Sequence, residues 1–212
     1  MTAACIITYE DAQFIAATLF SIAPHVDRII VIDGAYRNFP HDVHLSVDGS
    51  MEIADTVLKR CFPHVEAVFI STSEPWTSEA EKRNAYLNRL RDGEWFIMLD
   101  GDEMLVGDVK TGLKEIQASG KDAGRIPVYE LRENMSIIKH VNHIPRVIRF
   151  NPTMRYVKHH SNLIDERGPV NFMAGRAHYT EKFGILHFSH LRLPERKRRK
   201  EIYGVYQREA GE

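Results

Sequence analysis

The chain contains the stretch Trp95-Phe96-Ile97-Met98-Leu99-Asp100-Gly101-Asp102-Glu103, an apolar run that ends in three carboxylates. This run predicts a buried strand, because it is too short for a helix and glycines flank it on both sides. The three acids therefore lie at the carboxyl end of the strand. Ligands of open α/β sheets bind at that end, so the stretch predicts an α/β fold with a ligand site here.

The acidic cluster also predicts a cation. Neighbouring carboxylates repel one another unless a cation joins them, and hard divalent cations prefer oxygen ligands. Asp100 and Asp102 project to the same side of an extended chain, and Gly101 between them permits a tight turn. The alternative is a solvated acidic turn, which the preceding apolar run disfavours.

The composition predicts a protein with one large core. The chain has 212 residues, of which 43% are hydrophobic and 27% are charged, and this fits a single domain over 1–212. We expect residues 1–120 to form a nucleotide-sugar-binding half and residues 121–212 an acceptor and metal-completing half. The net charge of -1 gives no overall field that would attract nucleic acid or an anionic membrane.

Cysteine use and the first residues predict a cytoplasmic protein. Cys5 and Cys61 are far apart and outside any Cys-x-x-Cys motif, so we expect reduced, buried thiols. Met1 leads directly into a short apolar strand, with no basic region and no long apolar stretch. This argues against a signal peptide and against a transmembrane segment.

Strands and helices alternate in the first 120 residues. Asp11 is expected to cap the first helix, and a Ser-x-x-Glu capping box to open the third. The predicted strands are 3–8, 28–32, 65–70 and 95–99, and the helices follow each of them up to Gly120. This alternation predicts a mostly parallel central sheet with helices on both faces. Beyond it, strands at 125–131, 146–150, 156–164 and 185–188 predict mixed or antiparallel additions, before a basic helix from Pro194 to about Arg208.

The order of these features resembles glycosyltransferases of the GT-A fold, close to family 2. The resemblance covers nearly the whole chain. The segments that carry it are Ile6-Ile7-Thr8-Tyr9-Glu10-Asp11, Ile29-Ile30-Val31-Ile32-Asp33-Gly34, Glu81-Lys82-Arg83-Asn84, Leu99-Asp100-Gly101-Asp102-Glu103 as the Asp-x-Asp motif, Arg146 to Phe150, Tyr156 to Leu163 and Ile185-Leu186-His187-Phe188.

The resemblance implies a metal-dependent glycosyltransferase that uses a UDP- or GDP-sugar with Mn²⁺ or Mg²⁺. The metal would act as a Lewis acid on the leaving diphosphate. The residues implied to hold the nucleotide sugar are Thr8, Tyr9, Glu10, Asp33, Arg83, Asp100 and Gly101. Asp102 and His187 would ligate the metal together with Asp100, and His160 is an alternative to His187. The acceptor stays open among glycan, lipid, protein and modified nucleobase.

The chain departs from the family pattern in two places. The acidic motif after the second strand is stretched, so Asp48 is expected to share the ribose contacts with Asp33. There is also no clear Glu-Asp pair to supply the general base. Glu130 is expected to be catalytic beside Asp100 and Asp102, and Glu133, Asp165 and Glu166 are alternatives. The stereochemical outcome stays open.

A cluster of five cations at 196–200 is the strongest basic feature. One interpretation is closure over the donor diphosphate, with Arg198 contacting the donor. The others are a solvated helix face and contact with an anionic acceptor. Three rival functions were weighed: a nucleic-acid-binding module built on this helix, a haloacid-dehalogenase-like phosphatase, and a sugar nucleotidyltransferase. The last two fit less well, because the Asp-x-Asp motif lies mid-chain and no Gly-rich, Lys-bearing loop follows Thr8.

Overall fold

The computed structural model describes residues 1–40, 43–134, 136–140, 145–158, 162–170, 175–194, 197–199 and 201. The helices are α1 Ile15–Ile22, α2 Ser50–Cys61, α3 Glu79–Leu87 and α4 Val109–Ala118, with 3-10 turns at Ala23–His25 and Ser189–Leu191. The strands are β1 Thr2–Thr8, β2 Arg28–Asp33, β3 Glu66–Ile70, β4 Trp95–Asp100, β5 Glu103–Gly107, β6 Ala123–Arg125, β7 Val128–Leu131, β8 Ile137–His140, β9 Val147–Arg149, β10 Arg155–Tyr156, β11 Leu163–Asp165, β12 Gly168–Pro169, β13 Ala177–Tyr179 and β14 Phe183–His187.

The central sheet is mostly parallel. Within the described residues its order is β13-β6-β9-β4-β1-β2-β3, and β1 pairs in parallel with both β2 and β4. β9 is antiparallel to β4 and to β6. A second sheet, in the order β5-β14-β7-β8, and a small sheet of β10, β11 and β12 complete the described strands. The predicted fold class, with its mixed additions after Gly120, is confirmed.

Helices cover both faces of the central sheet. Alternate residues of β1 point to opposite faces, so Ala4 and Ile6 pack with α1, α2 and α4. Cys5 on the other face packs with Tyr86 of α3 and with residues from the C-terminal part of the chain. Both faces of β1 are fully buried, which explains why its sequence is continuously apolar.

Two local predictions were wrong, and one strand was not predicted. Asp11 does not cap α1, because its carboxylate accepts hydrogen bonds from Thr8 Oγ1 and the Tyr9 N–H instead, and the helix begins at Ile15. The unpredicted strand is β5, which follows the acidic motif directly. Cys61 is exposed, as it occupies the last turn of α2, whereas Cys5 is buried as expected.

Much of the predicted basic helix lies outside the described residues. Positions 194, 197–199 and 201 are helical, and the remainder up to Arg208 is not described. His160 also lies outside the described residues. Among the helices that are described, none combines the length and apolar character needed to cross a membrane. The division of the chain at residue 120 into two functional halves stays a prediction.

Candidate active site

The carboxyl ends of three parallel strands meet at one edge of the central sheet. Thr8 at the end of β1 lies in register with Asp33 at the end of β2. On its other side, β1 aligns Ile7 with Asp100, the last residue of β4. This arrangement brings together residues that are up to 92 positions apart, Thr8 and Asp100, where α/β sheets place their ligands.

Asp100 is the partly exposed carboxylate of this edge. A third of its side chain is accessible, at 34%, and its Oδ1 accepts a hydrogen bond of 2.9 Å from Arg83. Its backbone N–H donates to Glu103 Oε2 at 2.9 Å. Burial would raise the pKa of Asp100, but the charges of Arg83 and Arg146 outweigh it and lower that pKa. Asp100 is therefore ionised and faces the open side of the edge.

Arg83 and Lys82 of α3 bind polar groups at the carboxyl ends of the parallel strands. Arg83 is 1% exposed and bridges Glu79 and Asp100, with Nε 2.7 Å from Glu79 Oε1. Lys82 is 2% exposed and donates from Nζ to the carbonyl oxygens of Thr8, at 2.7 Å, and Gly34, at 2.5 Å. Burial lowers the pKa of Lys82 to about 8. Lys82 thus joins the ends of β1 and β2.

Arg192 joins two buried carboxylates of the edge, Asp102 and Asp11. Its Nε and NH2 atoms lie 2.8 and 2.6 Å from Asp102 Oδ2, and its NH1 lies 2.9 Å from Asp11 Oδ1. His187 Nε2 lies 3.4 Å from the same oxygen of Asp102. Burial would lower the pKa of His187, but the hydrogen bond and the charge of Asp102 outweigh it and raise that pKa.

Gly101 is required by the close packing of this edge. A Cβ atom at Gly101 would lie 2.5 Å from Asp11 Oδ2 and 2.7 Å from Thr8 Oγ1, far inside van der Waals contact. The Gly101 carbonyl accepts a hydrogen bond of 2.9 Å from Thr18 of α1. The residue between the two aspartates therefore has to be glycine because the loop after β1 packs against it.

The second sheet brings Glu130 next to His187. β14 pairs with β5 and with β7, so that His187 lies in register with Glu103 on one side and Glu130 on the other. Glu130 Oε1 lies 2.9 Å from His190 Nε2. Glu103 is 1% exposed and forms two hydrogen bonds with Arg146, at 2.8 and 3.2 Å. The predicted catalytic glutamate and the predicted metal-ligating histidine are thus neighbours on adjacent strands.

Asp33 and Asp48 bind the loop that leads to α2. Asp33 is 2% exposed, and its two oxygens accept hydrogen bonds from the N–H and the hydroxyl of Ser46, at 2.9 and 2.6 Å. Asp48 accepts from the Ala12 N–H at 2.9 Å and from Ser50. Both carboxylates therefore shape the loop, and their predicted contact with the ribose stays a prediction.

The loop after β1 lines the same edge. Tyr9 donates its hydroxyl to the Val43 carbonyl at 2.6 Å. Glu10 has a φ of 51°, which is uncommon for a residue other than glycine, and its N–H donates to Ser46 Oγ at 2.7 Å. Glu10 Oε2 lies 3.4 Å from Arg199 NH1. The described part of the basic segment is thus held against the loop, while Arg198 is exposed.

The other candidates for the general base differ in their surroundings. Asp165 has a fully buried side chain and pairs with Arg167 and Arg176 at 3.0 and 2.5 Å. Glu133 is exposed and pairs with Lys197, and Glu166 is exposed in a turn. Of these residues only Glu130 has a register position beside His187.

The described residues do not offer a site that fits the predicted divalent metal. Among them, no group of three or more His, Cys, Asp or Glu side chains could hold a metal ion. Asp102 is 1% exposed and its Oδ2 already accepts hydrogen bonds from Arg192. Mg²⁺ is usually bound by one or two carboxylates together with water and substrate phosphates, and here the Asp102 carboxylate is already paired with Arg192. Mn²⁺ or Mg²⁺ as a cofactor stays a prediction from the sequence.

Several residues of the edge were missed by sequence reasoning. The sequence predicts Asp11 as a helix cap and indicates no individual role for Lys82 or Arg146. Arg192 was not singled out. The one signal for Arg192 is its place as a lone cation in Leu191-Arg192-Leu193, directly after the His187 segment.

Comparison with known proteins supports the fold. No protein-family model matches the sequence, and no curated protein matches it. A structure of TarS from S. aureus matches with a TM-score of 0.62 and 12% identity over 89% of this chain. A structure of TarS 1–349 matches with a TM-score of 0.57 and 13% identity over 89% of this chain, and TarS 1–349 in complex with UDP matches with 0.48 and 16% identity over 62%.

The chain spans only part of these proteins, namely 37%, 61% and 36% of their respective lengths. At such low identity the similarity shows a shared fold. The chain therefore has a Rossmann-like α/β fold of the GT-A type, as the sequence predicted, and the assignment to family 2 stays a prediction.

Proposed function

We propose that the chain is a glycosyltransferase that moves a sugar from a nucleotide-diphosphate sugar to an acceptor. The observation that carries this proposal is the partly exposed Asp100 at the carboxyl ends of parallel strands, held by the buried Arg83. Ligands bind at this edge in α/β sheets, the fold is of the GT-A type, and the order of the sequence motifs resembles that of GT-A glycosyltransferases.

The reaction needs a leaving group, a nucleophile and a base. The bond between the sugar C1 and the diphosphate oxygen breaks, and the bond between C1 and an acceptor oxygen or nitrogen forms. We propose that Glu130 takes the proton of the acceptor, because it lies beside His187 at the rim of the same edge. A general base of this kind contributes about 10²- to 10⁴-fold to the rate. The acceptor class is left open.

Cations close to the diphosphate lower the barrier, because negative charge grows on that group in the transition state. Arg192 and Arg199 are the cations that the C-terminal segment brings to the loop after β1. We propose that they favour binding of the diphosphate, and that Arg198 contributes from the exposed side. A metal-assisted step is not part of this proposal, since the donor set described above does not fit one.

A nucleic-acid-binding module is the alternative that the basic segment suggested. Its described cations are largely compensated, since Lys197 pairs with Glu133 and Arg199 with Glu10. A surface that binds the phosphates of a nucleic acid would present several unpaired cations. Because these cations are paired, we favour a role of the basic segment at the carboxyl ends of the parallel strands over a nucleic-acid interface.

The proposal is tested by following ³¹P NMR spectra of UDP- and GDP-sugars incubated with the protein and a panel of acceptors. A glycosyltransferase releases the nucleoside diphosphate, because the sugar C1–O bond breaks. A nucleotidyltransferase supplied with pyrophosphate instead releases a sugar 1-phosphate and a nucleoside triphosphate. Release of UDP or GDP that is lost in Asp100→Asn supports the proposal, and release of sugar 1-phosphate contradicts it.

A further inference from the structure

We propose that Arg192 is the resident cation of the acidic edge and neutralises Asp11 and Asp102, so that no divalent metal is held there. Donor binding then requires no metal. The statement about the donor rests on the proposed function, whereas the statement about the metal stands on the protein alone.

The geometry of Arg192 is that of a built site. Its guanidinium contacts Asp102 through two nitrogen atoms, at 2.6 and 2.8 Å, and Asp11 through a third at 2.9 Å. The side chains of the three residues are 9%, 1% and 4% exposed, in the order Arg192, Asp102 and Asp11. The planar guanidinium presents its N–H groups in a fixed fork, and this geometry matches the oxygen atoms of carboxylates.

The backbone around Arg192 is anchored independently of these ion pairs. The Phe188 N–H donates to the Asp102 carbonyl at 3.0 Å, and the Phe188 ring stacks on Phe14 at 5.3 Å. Gln13 Nε2 donates to the Leu191 carbonyl at 3.2 Å. The segment that carries Arg192 is thus fixed to the turn after β4 and to the loop between β1 and α1, so the guanidinium is positioned before any ligand arrives.

A divalent metal would have to displace this guanidinium. The remaining oxygen of Asp11, Oδ2, already accepts hydrogen bonds from Thr8 Oγ1 and the Tyr9 N–H. Displacement would leave the Arg192 charge buried without its partners, which is strongly unfavourable. The two carboxylates therefore bind the protein's own cation in preference to a metal.

The same guanidinium is suited to a diphosphate. Its contacts with Asp11 and Asp102 account for three of its five N–H groups. Asp102, which Arg192 contacts, follows the partly exposed Asp100 by two residues in the chain. Guanidinium groups bind phosphate oxygens with two parallel hydrogen bonds, and we infer that Arg192 meets the donor's diphosphate in this way.

The metal statement is tested by titrating Mn²⁺ alone into the protein and measuring bound Mn²⁺ by electron paramagnetic resonance. We expect no binding tighter than about 1 mM in the wild type. Arg192→Gln removes the cation between Asp11 and Asp102 and is expected to bind Mn²⁺ at least about tenfold more tightly. Arg60→Gln, at an exposed position near the end of α2, is the matched control and should behave as the wild type.

Tight Mn²⁺ binding by the wild type would overturn the inference without any variant. If Arg192→Gln does not fold, as judged by thermal unfolding, Arg192→Lys is measured instead. Lysine keeps the charge but loses the fork, so we expect Mn²⁺ to stay excluded while the affinity for UDP falls. Binding of Mn²⁺ by Arg192→Lys tighter than the limit of about 1 mM given for the wild type would also overturn the inference.

The donor statement is tested by titrating UDP and GDP, each with EDTA and with Mn²⁺. We expect equal affinity in both conditions, and a loss of at least about tenfold in Arg192→Gln measured with EDTA. Binding that occurs only with Mn²⁺ would overturn the donor statement. If neither nucleotide binds in either condition, the proposed function fails, while the Mn²⁺ titration still decides the metal statement.

Discussion

Arg192 places its guanidinium 2.6 Å from the carboxylate of Asp102, a residue 90 positions earlier in the chain. The same guanidinium contacts Asp11, so the C-terminal segment closes the gap between the loop after β1 and the turn after β4. This ion-paired triad organises the edge at which we place the donor, and the predictions below examine the groups around it.

Gly101→Ala is expected to abolish donor binding. The added Cβ would lie 2.5 Å from Asp11 Oδ2 and displace the loop after β1, at a cost of about 1–3 kcal/mol. Gly120→Ala is the control, because a Cβ there meets nothing within 4 Å and costs about 1 kcal/mol only through its positive φ of 70°. Calorimetric titration with UDP- and GDP-sugars should show binding in the control alone. Equal affinity in both variants would contradict the account of Gly101.

Lys82 is expected to make stability depend on pH in the alkaline range. Its pKa of about 8 in the folded protein lies below the ordinary 10.5, so the unfolded chain binds the extra proton between these values. The free energy of unfolding of the wild type, relative to Lys82→Met, should therefore rise by about 3 kcal/mol as the pH increases from about 8 to 10.5. Below about pH 8, Lys82 is protonated in both the folded and the unfolded chain, so the difference between wild type and Lys82→Met no longer changes with pH.

Urea unfolding at several pH values measures this difference. Lys59→Met, at a position where the side chain is 73% exposed, is the control and should show little change with pH relative to the wild type. A difference between wild type and Lys82→Met that stays flat over the same range would show that the Lys82 ammonium is not desolvated.

Asp165→Asn is expected to destabilise the fold by about 2 kcal/mol at neutral pH, because it removes the buried carboxylate that binds Arg176 and Arg167 and leaves them only their pairs with Asp122. Burial would raise the pKa of Asp165, but the hydrogen bonds from Arg176 and Arg167 outweigh it and lower that pKa below the ordinary 3.8. The stabilisation is therefore complete above about pH 4 and is lost as the pH falls further.

Denaturant unfolding of Asp165→Asn and of the exposed control Glu166→Gln tests this assignment. The control should match the wild type at every pH. Reduced turnover in Asp165→Asn with unchanged stability would instead indicate a catalytic role for Asp165, which the ion pairs argue against.

Glu130→Gln is expected to lower kcat by about 10²-fold or more while the affinity for the donor stays unchanged, since a general base acts on the acceptor. Turnover of the best donor and acceptor pair, measured together with donor affinity, separates the two effects. Should Glu133→Gln lower kcat while Glu130→Gln does not, the base would be Glu133 and the present choice would be wrong.

Local sequence patterns predicted the first half of the fold well. The apolar run before Asp100 and the alternation of strands and helices depend on residues close in sequence, and the parallel order of β1, β2 and β4 follows from them. The strand β5 was missed because its partner β14 lies about 80 residues later, and only that pairing turns Glu103 into a strand residue.

Several predicted site residues lie at one edge of the sheet, because the patterns that predict the strands also give the positions of the strand ends. Asp100, Arg83 and the Thr8 turn lie at strand ends or on a helix that follows one. The pairing of Asp102 with Arg192 could not be read from the sequence, because Arg192 reaches Asp102 only through the folded C-terminal segment. No short sequence pattern indicates an ion pair between residues that lie so far apart in the chain.

Calorimetric titration of UDP- and GDP-sugars into the wild-type protein and Asp100→Asn tests the central claim most directly. We predict that at least one of these donors binds the wild type with a dissociation constant in the range of about 1 μM to 1 mM, and that Asp100→Asn weakens this binding by at least about tenfold. Absence of binding by every donor, together with salt-sensitive binding to nucleic acid, would contradict the claim and favour the nucleic-acid-binding module.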